Sequence, residues 1–168
     1  RGGELDLEYT RVADGGLPEA GDPELSAMVM VRGPSARQVL PEPVVRLVEV
    51  QLEGSASVGL QLTDSAAFSD DSRRLTITRS ALHPLAVEPL AVGSVPPASS
   101  YTGNGADVVE VVRKQLAVPG TEVQVTMKRL DVPYRLGAKA DPNPALILGN
   151  LGEPTPTTLT IEAGTVLR

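Results

Sequence analysis

In the stretch TLTIEAGTVLR (158–168), apolar and polar residues alternate from Leu159 to Ala163, and Gly164 then interrupts the pattern. Alternation of period two is what a strand with one buried face requires. Short copies of the pattern occur along the chain as LDLEY (5–9), VEVQL (48–52), LTIT (75–78) and VQVTM (123–127). This series places Leu5, Leu7, Val48, Val50, Leu75, Ile77, Val123, Val125, Leu159 and Ile161 inward. Asp6, Glu8, Glu49, Gln51, Thr76, Gln124 and Thr160 then face outward.

A second strand series interleaves with the first: MVMV (28–31), GLQL (59–62), PLAV (84–87), VVEV (108–111) and ALIL (145–148). With Val29, Leu60, Leu85, Val109 and Leu146 as anchors, its steps are 31, 25, 24 and 37 residues. In the first series Leu5, Val48, Leu75, Val123 and Leu159 are separated by 43, 27, 48 and 36 residues. The step of 48 reads as two units with a weak member near Tyr101. Both series fit a repeating unit of about 24 residues lengthened by loops. The lengthening segments have loop composition: GLPEAGDPELS (16–26), GPSARQVLPEP (33–43), GSVPPASS (93–100), GAKADPNP (137–144) and NLGEPTPT (150–157). Insertions of this kind project outward and leave stacked strands intact.

Composition agrees with a layered all-β chain. The 168 residues are 41% hydrophobic, enough for one domain with a core, yet they include one Phe, three Tyr and no Trp, so the core is aliphatic. The 15 prolines and 16 glycines are well spread and leave little room for long helices. A net charge of −6 argues against nucleic acid, which needs a basic stripe to displace counterions, and against an anionic membrane. No apolar run is long enough for a membrane span, and no signal peptide opens the chain. With no Cys there is neither a disulfide framework nor a thiolate metal site, a composition compatible with export.

These features predict a right-handed single-stranded parallel β-helix of several coils with loop insertions, forming one domain over residues 1–168. Burying one inward side chain contributes roughly 1.5–3 kcal/mol, so a coil holds only when neighbours cover both of its sides. A β-sandwich is the alternative, since short alternating strands separated by Pro and Gly suit it too. RGGELDL at the start aligns with VRG (31–33), and the far end stops within a strand pattern, so the chain is expected to be a fragment of a longer β-helical protein.

The segment LDVPYRLG (130–137), followed after an insertion by TLTIEAGTVLR, resembles a recurrent pattern of bacterial exported right-handed parallel β-helix proteins of the pectate-lyase-like superfold. LTITRSAL (75–82) and SYTGNGAD (100–107) are similar to interior coils of those proteins. The resemblance implies the fold and a secreted or cell-surface location, and it brings no catalytic residue with it. On this basis the chain is expected to be a non-enzymatic structural or adhesive segment whose loops contact surface polysaccharide or other surface proteins. End-to-end self-association through open coils is a further expectation.

The alternative is a carbohydrate-active enzyme, a polysaccharide lyase or glycoside hydrolase, because proteins of this superfold place calcium-binding or acid/base carboxylates on the outer face of one strand stack. Registering Leu62, Val87 and Val111 puts Gln61, Ala86 and Glu110 in one outward row, with Thr63 and Glu88 in the next. Glu88 and Glu110 then sit diagonally on adjacent coils and are the candidate carboxylates. Against this stands the simpler reading of both as solvated surface charge. His83, the one histidine, is expected at a surface turn; a triad with Ser80 or Ser100 and Asp64 lacks every local signature. TGNGAD (102–107) has the spacing of a calcium-binding nonapeptide, which makes Asp107 a weak metal candidate. A single copy reads better as a Gly-Asn-Gly turn. Asp70 and Asp71, beside SRR (72–74), are weak metal candidates that read equally as a solvated loop. No cofactor is expected beyond calcium at such a site.

Overall fold

The computed structural model describes residues 4–16, 27–33, 42–112, 115–137, 146–149 and 155–168. The strands are β1 (Leu5–Glu8), β2 (Arg11–Ala13), β3 (Val29–Arg32), β4 (Glu42–Val48), β5 (Gln51–Glu53), β6 (Leu60–Thr63), β7 (Ala66–Phe68) and β8 (Thr76–Thr78). They continue as β9 (Leu85–Val87), β10 (Val109–Val111), β11 (Gln115–Leu116), β12 (Val123–Met127), β13 (Tyr134–Leu136), β14 (Ile147–Leu148) and β15 (Thr157–Ile161). A short 3-10 helix, Pro89–Ser94, follows β9. The chain is all-β with parallel sheets.

The order in which the chain visits its sheets repeats. β3, β4 and β5 lie in three different sheets, and β6, β7 and β8 pair with them one for one. β10, β11 and β12 are matched in the same way by β13, β14 and β15. Between these passes β9 pairs with both β6 and β10, and the 3-10 helix stands beside β7, β11 and β12. Every ladder between named strands among the described residues is parallel, whereas the sandwich alternative is built from antiparallel sheets.

One sheet runs through all the passes in the order β13-β10-β9-β6-β3. Val29, Leu60, Leu85 and Val109 are in register, as the anchor spacing predicts. The fifth place belongs to Tyr134, 25 residues after Val109, and not to ALIL, whose Leu148 pairs with Leu116 in another sheet. The first series also divides. Leu5 pairs with Val45 rather than Val48, and VEVQL turns a corner, because Val48 ends β4 and Gln51 opens β5. Val48, Val50 and Leu52 are all buried, so the alternation continues around the bend and hides it from a reading of the sequence. The weak member near Tyr101 is a bridge from Thr76 to Ser100.

One corner rests on single residues in the left-handed region. Tyr9, Glu49 and Arg74 occupy it in three successive passes with φ of 48°, 54° and 55°. Their N–H groups donate to Val48, Arg73 and Ala98 carbonyls at 3.0, 3.1 and 3.1 Å, each in the pass that follows. Such backbone costs about 1–3 kcal/mol per non-glycine residue and persists only where neighbours over-determine it. At Gly105 the constraint is contact: a Cβ there would lie 2.1 Å from the Ala81 carbonyl oxygen.

The core fills the space between the sheets. Leu60, Leu85, Val109 and Tyr134, stacked in register, are each 0% exposed. Burial thins towards β14 and β15, where Ile147, Leu148 and Ile161 are exposed. Ile161 therefore departs from its expected inward place: β15 pairs with β12, and no other ladder among the described residues covers it. Gly93 to Ser100, expected as a projecting loop, instead tucks Val95 and Pro96 into the body, where Tyr101 Oη donates to the Pro96 carbonyl at 3.0 Å. The other expected insertions lie largely outside the described residues.

Candidate functional site

In the five-stranded sheet, Met30, Gln61, Ala86, Glu110 and Arg135 form one continuous row in register. The row alternates with core-facing residues such as Leu60, Leu62, Val109 and Val111, so it lies on the outer face. Outward does not mean solvated here: Gln61 is 5% exposed and Glu110 0%. This corrects the reading of Glu110 as surface charge, since alternation tells which side a residue takes and not whether that side is covered.

A carboxylate removed from water needs a countercharge, and Arg135 supplies it. Arg135 Nη2 donates to Glu110 Oε2 at 2.5 Å from the neighbouring strand. His83, also expected at the surface, is 3% exposed, and its Nε2 lies 3.1 Å from the same oxygen without the alignment of a hydrogen bond. Burial, and then the Arg135 charge, lower the His83 pKa to about 4, so the imidazole is neutral near pH 7. Around this group Gln61 Oε1, Thr63 Oγ1 and Arg135 Nε are buried without a protein hydrogen-bond partner. Ordered water is the usual partner of such atoms.

Glu88 is half-buried, and its Oε1 accepts from the Asp64 N–H at 3.2 Å. Asp64 follows β6 on one side of β9, whereas Arg135 lies in β13 beyond β10 on the other. Glu88 thus bonds towards β6, whereas Glu110 bonds Arg135 in β13 and also meets His83 just before β9. Ser80 Oγ has no hydrogen-bond partner, and Ser100 Oγ lies 3.3 Å from Thr102 Oγ1, so neither serine is joined to His83.

Asp107 caps its own turn. Its Oδ1 accepts the Asn104 N–H at 2.8 Å, and Asn104 Nδ2 in turn donates to the Ile77 and Tyr101 carbonyls at 3.0 Å each. Gly103, at φ 81°, provides the turn. Asp70 and Asp71 are exposed at a turn after β7. Among the described residues no group of three or more His, Cys, Asp or Glu is placed to hold a metal ion.

Arg135 is the member of the cluster that sequence reasoning missed. The signal was present: YRL follows VEV by one unit of 25 residues, which sets Arg135 opposite Glu110. The burial of His83 was legible in its apolar neighbours Leu82, Pro84 and Leu85. Comparison with protein-family models, with curated proteins and with solved structures finds no match to the chain.

Proposed function

We propose that the chain is a right-handed, single-stranded parallel β-helix serving as a structural or adhesive segment of a secreted or surface-anchored bacterial protein. Its rigid body holds out loops that contact surface polysaccharide or other surface proteins. The observation that carries this reading is the repeated parallel return through three sheets in register, about 25 residues apart in the β6-β9-β10-β13 run. Right-handedness is supported by the strong preference of parallel crossovers for that hand. Such a scaffold confers function through what it displays. Self-association along the strand edges of β14 and β15 belongs to the same proposal, and light scattering over a concentration series reads it.

Binding on a glycan array with no turnover of the bound glycan is the expected result. Calcium-dependent cleavage of a polysaccharide, abolished by Glu110→Gln, would replace this reading with the carbohydrate-active enzyme. That second reading draws on the meeting of Glu110, His83 and Arg135, and the complete burial of the Glu110 carboxylate weighs against it.

A further inference from the structure

We infer that the Glu110–Arg135 ion pair is a register lock between β10 and β13, retained to specify which residues of successive passes meet. The strands joined here are only three residues long, Val-Glu-Val and Tyr-Arg-Leu. Apolar residues stand at both ends of each, so the core pattern tolerates a slip of two residues: Val109 then meets Leu136 in place of Tyr134. A slip of one residue is already forbidden, because it exchanges the inner and outer faces.

The outer row resolves the remaining ambiguity. In the observed register Glu110 stands opposite Arg135 and their side chains bond. Displaced by two, Glu110 stands opposite Pro133 or Gly137, neither of which carries a charge or a side-chain donor. Its carboxylate, at 0% exposure, then loses the Arg135 contact, and Arg135 faces Val108 or Val112. Parting a fully buried carboxylate from this guanidinium penalises the slipped states more than the ion pair favours the native one. On the other flank of β10 Ala86 stands opposite Glu110, and His83 Nε2 approaches the same Glu110 oxygen.

Two double variants test the lock by amide NMR, with contacts between β10 and β13 as the readout. Glu110→Leu with Arg135→Leu removes the charge while keeping an apolar outer row, and more than one set of resonances for β13 to β15 is expected. Glu110→Arg with Arg135→Glu exchanges the partners, and a single set with the native β10–β13 contacts is expected. A single native set from the leucine pair overturns the proposal. If the leucine pair does not fold, the exchanged pair decides: native contacts support the lock, and a slipped or mixed pattern overturns it.

Discussion

Glu110 with Arg135 and Thr126 with Thr160 are formally the same object, two outer-row residues in register on neighbouring parallel strands. Their surroundings differ most at one member of each pair, Glu110 being fully buried and Thr160 exposed. The first pair is ionic, with Glu110 completely buried and Arg135 half-buried; in the second, Thr160 is exposed, Thr126 is half-buried, and both are neutral. Position on the outside of a strand therefore does not set the dielectric a side chain meets, and that dielectric sets what a substitution costs. The largest test of this contrast is Glu110→Ala, which removes the buried carboxylate from the half-buried Arg135. A loss of about 3–5 kcal/mol in urea-denaturation stability is expected from such truncation of a buried ion pair. A loss below about 1 kcal/mol, the range of an exposed pair, would put the two rows in the same class.

The second test uses pH, because the chain's one imidazole, His83, lies buried against Glu110 of the first pair. His83 has its pKa lowered from 6.5 to about 4 in the folded chain. The unfolded chain therefore takes up a proton as pH falls through about 6.5, while the folded chain resists until about pH 4. The stabilisation is complete above pH 6.5 and is lost progressively down to pH 4, a change on the order of 3 kcal/mol. Denaturant titrations at several pH values measure this slope, and His83→Gln should flatten it. An unchanged slope in His83→Gln would assign the acid sensitivity to carboxylates instead.

Some of these features are legible in the residues and others are not. The step of 24 or 25 residues at Leu60, Leu85 and Val109 is enough by itself to reveal the stacking, because in-register parallel strands require equal spacing of equivalent side chains. The corner at Tyr9, Glu49 and Arg74 leaves no such mark. All three take positive φ without being glycine, so no residue type signals that turn, and VEVQL has the pattern of one strand across its bend. The candidate carboxylates can be found by register, but their roles depend on cover and partners. Alternation puts Glu110 in its correct row and says nothing of its environment. Arg135 escapes notice because ALIL, by its pattern, competes for the place that YRL occupies.

The smallest test lies in the neutral row itself. Thr126 and Thr160 face each other across a parallel ladder, and neither carries a charge for the other to balance. What they contribute is β-branched backbone preference and lateral side-chain contact, worth roughly 0.2–1 kcal/mol for a cross-strand pair relative to alanine. Thr160→Ala should therefore cost a few tenths of a kcal/mol, and Thr126→Ala, on the better covered strand, towards about 1 kcal/mol. In a double-mutant cycle the two costs should nearly add, because nothing charged is left behind when either is removed. The same cycle on Glu110 and Arg135 should show strong coupling, since each single truncation exposes the other partner's desolvation and the double truncation relieves it. The difference between the two coupling energies measures how far cover, rather than strand position, decides the cost of an outer-row residue.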